Sequence, residues 1–166
     1  ATVVAPHGNS IEKNAAMRAL GGELIEHGHD FQAAREFAMD MAAREGLHPI
    51  PSWHPLLVRG VATYGLEWFA AVPDLDTVYV PIGMGSGISG VIAARDALGV
   101  ATRVVGVVAE RAPAYALSFA RGEPVPTETS DTFADGIATR SPDPDALALI
   151  RRGADRIVTV SEEGMR

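Results

Sequence analysis

From Thr77 the chain runs Thr-Val-Tyr-Val-Pro-Ile straight into Gly-Met-Gly-Ser-Gly-Ile-Ser-Gly, and then into residues with helical apolar spacing that stop at Gly99. A β-branched run that breaks into a glycine turn and leaves as an amphipathic helix is a strand–turn–helix unit, and such a helix has to pack back on the sheet. The same alternation fills the rest of the chain. Strands are predicted over residues 2–5, 23–26, 47–50, 77–82, 103–108 and 156–160, and helices over 11–20, 31–45, 55–71, 89–98, 114–121 and 144–152. Asp30 has the chemistry of an N-cap and Gly46 of a left-handed C-cap, while Pro55 and Pro144 suit first helical positions. Strands alternating with helices specify parallel sheets flanked by helices, an α/β fold. The proline-rich segment 48–55 marks a change of sheet or of lobe. Residues 122–144 are polar and aperiodic and read as a long loop containing a short turn.

The glycine turn carries the first chemical expectation. Backbone N–H groups at a helix start have no intrahelical acceptor, the helix dipole favours negative charge there, and glycines let the main chain approach a phosphate closely. A phosphate-bearing small molecule or cofactor is therefore the expected ligand. The whole composition narrows the field further. With 166 residues and 47% of them hydrophobic, the chain can bury a sizeable core. A net charge of −7 disfavours binding to a nucleic-acid backbone or an anionic membrane surface. No apolar run reaches the roughly 18 residues of a membrane span. Cysteine is absent, which removes disulfides and thiolate chemistry and fits a cytoplasmic setting.

Several constellations compete for the turn. Gly85, Gly87 and Gly90 match the dinucleotide pattern G-x-G-x-x-G, with Glu110 placed as a ribose-binding acid, so an NAD(P)-dependent oxidoreductase is one alternative. A phosphate-ligand binding core without activity is another. A Walker loop is excluded because no Gly-Lys-Ser/Thr follows, and Met84 two residues before Ser86 excludes a serine-hydrolase elbow. His27, His29 and Asp30 resemble part of a metal site that nothing nearby completes, so they read as surface or loop-end residues and no metal is expected. Trp53 and His54 open a helix and read as core and helix-start residues. Asp135-Gly136 reads either as a turn or as a pocket wall. Lys13 is the only lysine and sits beside Glu12 on an amphipathic helix, where a solvated surface role is expected rather than a catalytic one.

Taken in order, the segments EKNAAMRALGGELIEHG (after Pro6), HPLLVRGVATYGLE (from His54), VYVPIGMGSGISG (from Val78), TFADGIA (from Thr132) and DRIVTVSEEG (from Asp155) resemble the threonine/serine dehydratase family. These are pyridoxal-phosphate enzymes of the tryptophan-synthase-β-like fold type II, related to serine racemases. The segments Pro6-His-Gly-Asn-Ser10 and Ala109-Glu-Arg-Ala-Pro-Ala-Tyr115 resemble the dehydratase branch linked to hydroxyectoine breakdown. The resemblance implies a partial two-lobe fold, with residues 1–51 in the small lobe and 52–166 in the large cofactor-binding lobe. It implies that Gly83, Met84, Gly85, Ser86 and Gly87 cradle the phosphate of pyridoxal 5′-phosphate and that Gly136 lies near the cofactor ring. The activity implied is that of an ammonia-lyase of amino-acid metabolism, turning a small hydroxy amino acid into a 2-oxo acid and ammonia, in a protein that forms a homo-oligomer when full length.

The family's Schiff-base lysine segment, Ser-x-Lys-x-Arg-Gly, and its carboxylate-binding Ser-x-Gly-Asn-His have no counterpart here. The chain opens in mid-strand at Ala1 and closes just after Ser161-Glu-Glu163, which reads as a helix start. A central fragment is expected, inactive alone, with the catalytic residues outside it. Metal-activated relatives carry acids where this chain has Val108 and Ala114, which again speaks against a cation site.

Overall fold

The computed structural model describes all residues, Ala1 to Arg166, as two compact units, Ala1–Pro51 and Ser52–Arg166. The first unit is built from β1 (Thr2–Ala5), α1 (Ile11–Ala19), β2 (Glu23–Glu26) and α2 (Phe31–Glu45). β1 and β2 pair in parallel, Thr2 opposite Glu23 and Ala5 opposite Glu26. Each helix is set by its caps. Ser10 accepts from the Lys13 N–H at 3.3 Å, Asp30 accepts from the Ala33 N–H at 2.8 Å, and Gly46 ends α2 in the left-handed region at φ 66°. The predicted strand over residues 47–50 does not form. Leu47 and Ile50 are both exposed, and Pro49 and Pro51 have no N–H to give a sheet.

The second unit contains α3 (Pro55–Ala71), β3 (Thr77–Pro81), α4 (Ser86–Leu98), β4 (Arg103–Ala109), α5 (Ala114–Arg121), α6 (Pro144–Gly153) and β5 (Arg156–Val160). Its three strands form a parallel sheet in the order β3-β4-β5. β4, in the centre, is buried on both faces, which is why it reads as an almost unbroken valine run. The edge strand β3 alternates instead, with Val78 and Val80 inward and Tyr79 exposed. The core gathers Ile88, Val91 and Ile92 of α4 with Val104 and Val108 of β4, Tyr115 of α5 and Ile150 of α6. Fully burying each such aliphatic side chain is worth about 1.5–3 kcal/mol.

Helix α4 starts at Ser86, three residues before the predicted start. Gly87 lies inside it, with Gly90, rather than in the turn, and Gly85 caps it at φ 93°. Gly90 is there for packing. A Cβ on it would come 2.7 Å from Val61 Cγ1 and 2.9 Å from the Ala62 nitrogen on α3, so the two helices can only approach this closely over a glycine.

Candidate functional site

The turn between β3 and α4 is held from below at both ends. Ile82 precedes it and Ile88 lies in the first turn of α4, both essentially inaccessible, and they pack over Gly106 of β4. A Cβ on Gly106 would come 2.5 Å from Ile82 Cδ1 and 3.3 Å from Ile88 Cδ1, so the bare glycine makes the seat for both. The last sheet bond on this side runs from the Ile82 N–H to the Val107 carbonyl at 2.8 Å, and the first helical one from the Ser89 N–H to the Gly85 carbonyl at 3.0 Å. Between them, the N–H groups of residues 83–88 have no acceptor within the chain. These are the orphan donors of a helix start, extended two residues into the turn, on the positive end of the α4 dipole.

Of the sequence-predicted residues, Gly83, Met84, Gly85, Ser86 and Gly87 form this turn and the first residues of the helix. Gly136, far along the chain, is brought against them. It lies in a single 3-10 turn, Asp135–Ile137, and its carbonyl oxygen occupies the space a Cβ on Gly83 would need. The side of Gly87 where a Cβ would project is open, with no atom within 4 Å. Thr139, just past the 3-10 turn, points its hydroxyl at Met84 Sδ across 3.9 Å. Tyr64 of α3 donates to the Gly87 carbonyl at 3.4 Å, and partial burial raises its phenol above the ordinary value.

Two residues that the sequence reading did not single out as site residues hold the surroundings in place. Tyr115, 1% exposed, donates its hydroxyl to the Met84 carbonyl at 2.9 Å and accepts from the Asp143 N–H at 3.1 Å. Burial pushes this phenol far above its usual value, so it remains a donor. Asp143 in turn caps α6, accepting from the Asp145 and Ala146 N–H groups at 3.0 and 3.1 Å. Glu162 holds the loop that carries Gly136, accepting from Thr132 Oγ1 at 3.1 Å and from the Phe133 N–H at 3.3 Å. Neither residue advertises itself locally, because each acts on a segment about thirty positions away.

The remaining candidates resolve into structural roles. His54 Nδ1 caps α3 by accepting from the Leu56 N–H at 3.2 Å, and Trp53 packs on the core. His27 stacks on Phe37 with ring centroids 4.0 Å apart, and His29 lies 3.6 Å from Asp30. Both follow β2 rather than sharing a strand face. Val108 and Ala114 are buried and apolar. Lys13 is exposed on α1, in the unit without the glycine turn. Glu110 follows β4 with its N–H on the Val160 carbonyl at 2.9 Å and an exposed side chain.

A parallel α/β layer whose glycine turn exposes unpaired N–H groups at a helix start defines an anion-binding class of site. The comparison with known proteins gives the family. The pattern of the pyridoxal-phosphate dependent enzyme family matches residues 1–166, and the chain belongs to that family. It is 34% identical to the L-threonine ammonia-lyase of Thermotoga maritima, over 98% of this chain and 41% of the relative. It is also 34% identical to the catabolic L-threonine dehydratase of Escherichia coli K12, over 99% of this chain and 50% of the relative. The processed form of threonine deaminase isoform 2 from Solanum lycopersicum superposes with a TM-score of 0.86 at 30% identity, covering 96% of this chain and 47% of that one. The chain thus spans half or less of the length of these relatives. The parallel sheets flanked by helices are those of pyridoxal-phosphate fold type II enzymes. This family membership sets the dinucleotide reading of Gly85, Gly87, Gly90 and Glu110 aside. No helix is long and apolar enough to cross a membrane.

Proposed function

We propose that the protein carrying this chain is a pyridoxal-phosphate dependent dehydratase that converts a small hydroxy amino acid, threonine or serine, to a 2-oxo acid and ammonia. In this reading residues 52–166 form part of the large, cofactor-binding lobe and residues 1–51 part of the small one. Gly83, Met84, Gly85, Ser86 and Gly87 hold the cofactor phosphate, and Gly136 flanks the ring. The observation that carries the assignment is the row of unpaired N–H groups at 83–88 set beside Gly136. Two features of the turn suit the phosphate end of that cofactor. The donors are neutral main-chain groups at a helix N-terminus, and the open side of Gly87 leaves room for phosphate oxygens.

Pyridoxal phosphate, when bound, supplies the electron sink that makes the α-proton of an amino acid removable. The residues of this chain bind and orient. The turn fixes the phosphate end, the Gly83–Gly136 contact limits how far the turn can open, and the α4 dipole offsets the dianion's charge. The amine that carries the cofactor is assigned outside this chain, because Lys13 lies exposed on α1 beside Glu12.

The deciding experiment expresses the protein from its whole gene and measures 2-oxo acid release from L-threonine and L-serine, with and without added pyridoxal phosphate. Cofactor-dependent turnover is expected. Absence of cofactor uptake, or tight NAD binding lost on Glu110→Gln, would overturn the assignment.

A further inference from the structure

We propose that Tyr115 is a positioning residue for the cofactor phosphate, acting through the peptide bond between Met84 and Gly85. The inference rests on the reading of the glycine turn as the phosphate site and names what sets that turn's donors. A trans peptide is planar, so its carbonyl and the N–H that follows point in opposite directions, and every peptide bond in the chain is trans. The Tyr115 hydroxyl pins the Met84 carbonyl on the protein side of the turn at 2.9 Å. The Gly85 N–H is thereby aimed the other way, among the donors that have no acceptor in the chain.

The opposite orientation of this one peptide would present a carbonyl where an anion is to bind, replacing attraction by repulsion. Gly85 is the residue best able to permit such a flip. Its φ of 93° lies in the region glycine enters freely, and glycine also enters its mirror image without penalty. Something other than steric restriction has to choose, and the phenol supplies the choice. Its position is fixed in turn. The oxygen accepts from the Asp143 N–H at 3.1 Å, the ring is buried in the core that also holds Ile88, Val91 and Ile150, and a Cβ on Gly85 would stand 3.2 Å from the hydroxyl. The hydroxyl's donor is thus committed to the turn and one lone pair to the cap of α6. The phenol is buried and both of its hydrogen bonds run to main-chain atoms, so it works through the main chain.

The test uses the protein expressed from its whole gene, stripped of cofactor, with two probes: pyridoxal phosphate and pyridoxal, which lacks the phosphate. Uptake is followed by absorbance, and the ratio of the two affinities measures what the phosphate contributes. Tyr115→Phe keeps the ring and removes only the hydroxyl. It is expected to lower affinity for pyridoxal phosphate by roughly tenfold, the worth of about one hydrogen bond to a charged group, while leaving pyridoxal within about twofold. Thr139→Val removes a neighbouring hydroxyl that touches the Met84 side chain and not its peptide, and it is expected to leave the ratio unchanged. Inorganic phosphate should compete with pyridoxal phosphate in the parent protein and less effectively in Tyr115→Phe. If the parent does not prefer pyridoxal phosphate to pyridoxal, the phosphate reading itself is wrong. If the parent discriminates and Tyr115→Phe discriminates equally, or if both probes weaken together, Tyr115 only packs the core and the proposal fails.

Discussion

Gly87→Ala separates folding from binding at the proposed cradle. The residue is in the second position of α4, its φ is not in the left-handed region, and a Cβ there meets no protein atom within 4 Å. Alanine exceeds glycine in helix propensity by about 0.8–1.0 kcal/mol at an interior position, and an end position yields about half of that. The substitution should therefore stabilise the fold by about 0.5 kcal/mol and raise Tm by roughly 1–3 °C. The same methyl projects into the open side of the turn, where the reading places phosphate oxygens. Holding an oxygen away from even one N–H forfeits a charge-assisted bond, about 1.5–3 kcal/mol, or about tenfold to a hundredfold in affinity. Differential scanning fluorimetry and a pyridoxal phosphate titration on the same preparation read the two effects. A higher Tm with weaker cofactor binding is expected. Unchanged cofactor affinity at a raised Tm would refute the reasoning, because the open face of Gly87 would then not face the ligand.

Gly90→Ala, one turn further along α4, is expected to do the reverse: overpacking against Val61 and Ala62 should destabilise by about 1–3 kcal/mol in urea unfolding, with the ratio of pyridoxal phosphate to pyridoxal affinity retained. Glu162→Ala removes the acceptor shared by Thr132 and Phe133, so stability should fall by about 1–2 kcal/mol and limited proteolysis should cut residues 122–143 sooner; an unchanged cleavage pattern would show that Glu162 does not hold that loop. Alkaline stability follows from Tyr115. Its folded value is raised by burial, so the unfolded chain loses its proton first; stability is full below about pH 10 and falls as pH rises beyond it. Tyr115→Phe should flatten that decline in urea midpoints measured from pH 8 to 11, leaving the smaller contribution of Tyr64.

Where local chemistry decides an element, the sequence was enough to place it. Asp30 and Gly46 bracket α2, Pro55 opens α3, and the valine run of β4 declares a strand buried on both faces. Local chemistry misleads where a partner decides. Residues 47–50 have strand-like apolar content, but Leu47 and Ile50 find nothing to cover them and the flanking prolines cannot join a ladder. The predicted start of α4 at Ser89 falls three residues late because glycine is normally evidence against helix and Gly87 sits in its first turn, while the reason for Gly90 inside the helix, the proximity of α3, is invisible from α4 alone.

The four glycines at 83, 85, 87 and 90 look like one motif and have four physical causes. Gly83 yields to the carbonyl of Gly136, Gly85 reverses the backbone to cap the helix, Gly87 leaves a surface open, and Gly90 lets two helices touch. The spacing G-x-G-x-x-G by itself could not distinguish a dinucleotide from a cofactor phosphate, because glycines with different physical roles share it. The assignment to pyridoxal-phosphate enzymes rests on the family match over residues 1–166, and what surrounds the turn comes from outside the motif: Gly136, carried by a loop that Glu162 secures, and Tyr115, which donates to the Met84 carbonyl. Sequence pattern could name the loop because its glycines fall within eight residues of one another. The phenol that aims it stands 31 residues away, on another helix, and becomes visible only once the sheet has brought α4, α5 and α6 around one core.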